Sequence, residues 1–131
     1  MSLEPGASAE VSLVVAPERT AAAMGNTGVP VLATPFLIGL LENAAAAVLR
    51  SEIPPGGASV GTMVEMRHLA ATPVGMTVRA RATLLEADGR RFLFAVTAWD
   101  DKEKVAEGRH ERYVIPDRGK FIDRVMKKGK R

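Results

Sequence analysis

Residues 34–50 read TPFLIGLLENAAAAVLR, and the character of this stretch decides the fold. Thr34 is a residue type that caps helix N-termini, and Pro35 suits the first helical position, where a missing N–H costs nothing. From Phe36 to Leu49 the residues are apolar on every side of a helical wheel, with Glu42 and Asn43 as the polar exceptions. A helix that is apolar all round is normally buried. The run Pro54-Pro55-Gly56-Gly57 then breaks the chain. The spacing therefore predicts one long, central, buried helix over residues 34–50.

Outward from this helix the hydrophobic period changes from helical to two. On the N-terminal side, Ala9 to Val15 alternates as a strand, and residues 16–33, with Gly25, Gly28 and Pro30, read as loop or a short helical turn. On the C-terminal side, Val60–Ala70, Met76–Ala87, Arg91–Asp100 and Val105–Ile115 read as strands. The connections ATPVG, ADGR around Asp88-Gly89, and DDKEK are short enough to join antiparallel neighbours. One strand, a long helix and four strands describe an α+β domain in which a five-stranded antiparallel sheet wraps around the helix. A sheet this small covers only part of such a helix, so a dimer is expected.

The 131 residues suit one domain over residues 1–131, with residues 117–131 as a basic C-terminal segment. The absence of cysteine excludes disulfides and thiolate chemistry, and two histidines are too few for a multi-histidine metal site. A cytoplasmic location is expected. Residues 1–10 are polar and carry no apolar targeting core, and the apolar stretch Val29–Leu49 is interrupted by Pro30, Pro35, Glu42 and Asn43, so no membrane span is expected. The net charge is +3, much of it from Arg118, Lys120, Arg124, Lys127, Lys128, Lys130 and Arg131 near the end. These cations read as a solvated, partly frayed tail, with a phosphate or nucleic-acid site as the sharper alternative. Only Phe36, Phe92, Phe94, Trp99, Tyr113 and Phe121 are aromatic, which leaves no stacking platform, so no nucleic-acid partner is expected.

Three polar residues stand out against the apolar pattern. Glu42 lies mid-helix among leucines and alanines; it is either a buried carboxylate kept for chemistry or part of a wet stripe shared with Asn43. In the strand Val60–Ala70, alternation groups Thr62, Val64, Met66 and His68 on the inward face and Met63, Glu65, Arg67 and Leu69 outward. His68 is then a structural histidine or, with Glu42, one half of an acid–base pair. On the last strand, Ala106, Gly108, His110, Arg112 and Val114 share a face; Arg112 is either a surface arginine or an anion and carbonyl binder. His110 has the same ambiguity. The small residues at 106 and 108 imply close approach to something. Gly61 is either a plain strand-start glycine or a position where a ligand reaches the backbone.

The segments TPFLIGLLENAA, SVGTMVEMRHLAATPVGMTV and EGRHERYVI resemble the thioesterase branch of the hot-dog superfamily, and within it the fluoroacetyl-CoA thioesterase-like family. The resemblance runs from about Thr34 to Ile115. It implies the hot-dog fold, a homodimer with active sites at the subunit interface, and hydrolysis of a small acyl-CoA to free acid and CoA; a tetramer stays open. It implies Thr34, Glu42 and His68 as the catalytic residues, Gly61 as a backbone contact to the thioester across the dimer, and Arg112 at the substrate pocket. Coenzyme A enters only as part of the substrate, and no metal or other cofactor is implied. Fold alone also admits a non-catalytic acyl-CoA or small-ligand binder. One departure stands out: aromatic residues form a lid before the helix in the fluoroacetyl-specific enzyme, whereas AAAMGNTGVPVLA here has none.

Overall fold

The apolar stretch forms α1, Thr34–Leu49, and the chain tightens into a 3-10 turn at Arg50–Glu52 before the proline pair. The computed structural model describes residues 3–130; Met1, Ser2 and Arg131 of the basic tail lie outside the described residues. The helix starts one residue earlier than its capping chemistry suggested. Ala33 is the N-cap, Thr34 is already helical, and no side chain caps the end. The Ala33 carbonyl accepts from the Phe36 and Leu37 N–H groups at 3.1 and 3.2 Å, which frees the Thr34 hydroxyl for another partner.

The strands are β1 (Ser8–Val14), β2 (Ala58–His68), β3 (Thr77–Asp88), β4 (Arg91–Trp99) and β5 (Lys104–Ile115), within about two residues of the expected bounds. They form one antiparallel sheet in the order β1-β3-β4-β5-β2. The hairpin between β3 and β4 closes through Gly89 and Arg90, with Gly89 at φ +62°, a left-handed conformation that glycine adopts without steric cost. The segment between β1 and α1 contains a 3-10 turn at Pro17–Arg19 and is tied down by isolated bridges from Thr20 to Leu32 and from Val31 to Pro73.

Helix α1 lies chiefly over β3 and β1. Leu37, Leu41, Ala44, Ala45 and Leu49 pack against a sheet face carrying Val78, Ala80, Ala82, Phe94 and Val96. Small residues on both sides let the helix sit close to the sheet, and each fully buried leucine contributes roughly 1.5–3 kcal/mol. The helix is covered only in part, as expected of so small a sheet. Ile38, Glu42 and Ala46 stay partly open, because a five-stranded sheet reaches only one side of the helix. The half of the sheet formed by β5 and the edge strand β2 is the less covered half, and the polar residues collect there.

The basic segment is solvent-exposed as expected and forms a helix, α2, Arg118–Lys127, with the Asp117 carboxylate accepting from the Lys120 N–H at 3.0 Å. No residue of α2 is buried. Among the described residues no helix is long and apolar enough to cross a membrane.

Candidate active site

The site depends on a one-residue irregularity in β2. Gly61 pairs with Arg112 and Met63 with Glu111, so Thr62 is an extra residue with no partner. A bulge of this kind reverses the facing of everything before it. Strict alternation grouped Thr62 with the inward residues; the bulge instead turns Gly61 inward and Thr62 outward. The Thr62 hydroxyl holds the bulge in place by donating to Glu111 Oε1 at 2.7 Å, and Arg91 binds the same carboxylate. Beyond the bulge, Val64, Met66 and His68 pair with His110, Gly108 and Ala106 and face the helix side as expected. The small residue at 108 accommodates the neighbouring strand, since a Cβ there would overlap the Glu65 carbonyl.

Glu42 points from α1 towards this half of the sheet. Its Oε2 lies 3.5 Å from Arg112 Nη1 and 3.8 Å from His110 Nε2. Glu42 is therefore the half-open member of a charged cluster rather than an isolated buried acid; its side chain is 38% exposed. Gly61 closes the cluster from below, where a Cβ would come within 2.6 Å of Glu42 Oε2. Glycine is required there by close approach, not by an unusual backbone angle. Arg112 is 8% exposed, so the surface reading of this arginine does not hold. Its Nε donates to Ser59 Oγ at 3.1 Å and its Nη2 to the Ser59 carbonyl at 3.0 Å. Burial pulls the guanidinium below its ordinary pKa, and the Glu42 charge opposes that shift.

His68 and Thr34 form a second cluster at the helix N-terminus. Thr34 Oγ1 and His68 Nδ1 are 2.8 Å apart and share a hydrogen bond whose direction follows the imidazole tautomer. The hydroxyl that seemed suited to capping thus serves the histidine. His68 Nε2 is buried with no hydrogen-bond partner among the described residues. Burial lowers the His68 pKa, and the Ala70 backbone partly opposes the shift, so the ring is neutral at neutral pH. A cavity of about 400 Å³ opens beside it, lined mainly by Ala21, Met24, Val31, Leu32 and Thr34. This wall comes from the aromatic-free segment before the helix, and Glu42 is not part of it.

The five residues singled out in the sequence therefore divide in two. Glu42, Gly61 and Arg112 meet at mid-helix, and Thr34 and His68 meet at the helix start. Eight residues of helix separate Thr34 from Glu42, on the order of 12 Å, so one chain does not bring Glu42 and His68 together. His110 and Ser59 were underweighted. Position 110 shares a face with Arg112, a signal present in the alternation, whereas the Ser59 contact had no signal. Among the described residues, no three histidine, aspartate or glutamate side chains are grouped to hold a metal ion.

Comparison with known proteins adds an independent line. The family model for fluoroacetyl-CoA-specific thioesterase matches residues 15–118. The fluoroacetyl-CoA thioesterase of Streptantibioticus cattleyicolor is 41% identical over 85 residues, which cover 65% of this chain; the match spans 61% of that relative's length. A crystal structure of a single-residue variant of the fluoroacetyl-CoA-specific thioesterase superposes with a TM-score of 0.91 at 33% identity and covers 98% of each chain. A second variant, solved in complex with acetyl-CoA, gives 0.90 at 32% identity over 96% of this chain and 98% of that one. A hypothetical protein of Thermus thermophilus, described as a thioesterase superfamily member, gives 0.86 at 28% identity over 97% and 95%.

Proposed function

Because the chain belongs to the fluoroacetyl-CoA-specific thioesterase family, we propose that it hydrolyses a small acyl-CoA thioester to the free acid and CoA. It does so as a homodimer, with Thr34 and His68 of one subunit facing Glu42, Gly61 and Arg112 of its partner. One observation carries this reading: each half-site is incomplete in the way the other would complete. His68 offers a ring nitrogen with no hydrogen-bond partner among the described residues, and Glu42 offers a carboxylate oxygen that is buffered by Arg112 yet open to approach. Strand β2 is a sheet edge, and its inward-facing Val64 is 37% exposed, which a second subunit would cover. A cytoplasmic location suits a chain without cysteine.

In this mechanism the bonds made are C–O and S–H, and the bonds broken are C–S and one O–H of water. Glu42 draws the proton from the attacking water, or attacks the carbonyl itself to form an anhydride that water then opens. The partner's backbone near Gly61, together with the α1 N-terminus, offers N–H groups to the developing oxyanion. His68, neutral at rest, takes up the proton released from water and passes it to the departing sulfur, and Thr34 holds its ring in place.

The test is thiol release from a panel of short, branched and aromatic acyl-CoAs. Release matched by free acid supports the proposal. Saturable binding without release would mark a non-catalytic acyl-CoA-binding protein instead. The acyl preference has its own expected outcome. The wall beside His68 carries Met24 and Val31 where no aromatic ring is available, so fluoroacetyl-CoA and acetyl-CoA are turned over at similar rates. Strong preference for the fluorinated substrate would count against this account of the wall.

A further inference from the structure

His110 is 1% exposed, and each ring nitrogen has a defined neighbour. Nδ1 lies 2.8 Å from the Met63 carbonyl oxygen. A carbonyl only accepts, so Nδ1 must carry the hydrogen. Nε2 lies 3.2 Å from Arg112 Nη1. A guanidinium only donates, so Nε2 must present its lone pair. Both contacts are satisfied together by one form of the ring, the neutral Nδ1–H tautomer. The doubly protonated ring would set an N–H against the guanidinium and add a like charge beside it.

This ring completes a full clamp on Arg112. Nε and Nη2 are held by Ser59, and Nη1 is shared between His110 Nε2 and Glu42 Oε2. Without the acceptor at position 110, Nη1 would keep only its long 3.5 Å contact to Glu42 Oε2, and the guanidinium would be held from the Ser59 side alone. We propose that His110 is a positioning residue: its Nε2 lone pair fixes Arg112 Nη1 so that the Glu42 carboxylate is held in its reactive orientation. This rests on the thioesterase reading above for its kinetic consequence, but its structural content does not. Three charged or titratable groups bear on the ring: Arg112 and Glu42 from the cluster and Glu111 from the outer face of the same strand. Burial is the main influence and keeps the ring below the ordinary histidine pKa.

Two measurements test the proposal on the full chain. The first is the ¹⁵N spectrum of the histidine rings, which separates a protonated from a lone-pair nitrogen whatever the activity. A lone-pair Nε2 and a protonated Nδ1 on His110 at neutral pH are expected; a protonated Nε2 overturns the proposal. The second is a pair of variants. His110→Leu removes the acceptor and keeps the volume, whereas His110→Gln returns an acceptor oxygen near the Nε2 position. His110→Leu should lower kcat about tenfold with KM within about threefold, as expected for a displaced rather than a missing group. His110→Gln should recover most of kcat. A folded His110→Leu protein with the parent kcat, or equal losses in both variants, overturns it; should the leucine variant not fold, the ring spectrum decides. An inactive parent with the expected ring spectrum would count against the thioesterase reading alone.

Discussion

The two polar clusters differ in how completely their hydrogen-bonding capacity is used. Around Arg112, all three guanidinium nitrogens have partners in Ser59, His110 and Glu42. At the helix start, the His68 ring is held by Thr34 at one nitrogen and, among the described residues, has no hydrogen-bond partner at the other. A guanidinium held at every nitrogen fixes a charge and resists change, because a partner that moves strands a buried donor. A half-used imidazole, kept neutral by burial, can take up and give back a proton. The difference suits the two regions to the different work proposed for them: one to hold an anionic group still, the other to move a proton.

The sharpest way to break this division is Glu42→Gln, which keeps the shape and removes the charge. If Glu42 is the base or nucleophile held by the saturated cluster, kcat for thiol release should fall by about two orders of magnitude or more. Turnover near the parent's would take Glu42 out of the mechanism. Gly61→Ala attacks the same cluster from the other side. A Cβ within 2.6 Å of Glu42 Oε2 forces the carboxylate to move, and a misplacement on the order of 1 Å should lower kcat up to about a hundredfold. The same Cβ would lie 3.0 Å from Cε1 of the buried His110 ring, so a modest loss of Tm, followed by circular dichroism, should accompany the kinetic loss while the half-open carboxylate yields and the protein stays folded. An active Gly61→Ala enzyme would mean that the position of Glu42 Oε2 is not critical.

The same contrast marks the limit of sequence reading. The fold was legible because it rests on periods: an apolar run of helical length, and alternation punctuated by Pro54-Pro55-Gly56-Gly57 and Asp88-Gly89. The inward turn of Gly61 was not, since a single unpaired residue at Thr62 leaves no trace in an alternating pattern and reverses it all the same. The common face of His110 and Arg112 could be read, but not whether the helix covers it. The Thr34 hydroxyl was assigned to the helix cap on local grounds; its partner, His68, lies 34 residues away and outcompetes the cap. Convergence of Glu42 and His68 was read from their being two polar intruders in one core. Sharing one core does not fix where along the helix each side chain sits.

The half-used cluster gives a smaller kinetic effect. Thr34→Val keeps the shape and removes the hydroxyl, so His68 loses its one side-chain hydrogen bond. One net hydrogen bond is about 0.5–1.5 kcal/mol, so kcat should fall between about twofold and tenfold. Parallel measurement of Glu42→Gln and Thr34→Val sets the order of the two regions. A larger loss at Thr34 than at Glu42 would reverse the division of labour.

The smallest expected effect is on stability against pH, and it follows from burial in both clusters. His110 and His68 each have a folded-state pKa below the ordinary 6.5. Above about pH 6.5 both are neutral folded or unfolded, and neither contributes a pH slope. As pH falls below that value the unfolded chain takes up protons that the folded rings resist, so stability is lost on acidification. Carboxylates with lowered pKa, such as Asp100 and Glu111, add their own loss at lower pH. Variants separate the contributions. The Tm of His110→Gln should fall less steeply than the parent's between about pH 6.5 and 5, because a glutamine cannot bind the proton in either state. His68→Gln should flatten the slope less, since its ring lies at the edge of a cavity where the charged form is better solvated. Equal slopes in the parent and His110→Gln would mean that the ring between Met63 and Arg112 accepts a proton as readily as a histidine in water, and the saturated cluster would then be looser than its hydrogen bonds imply.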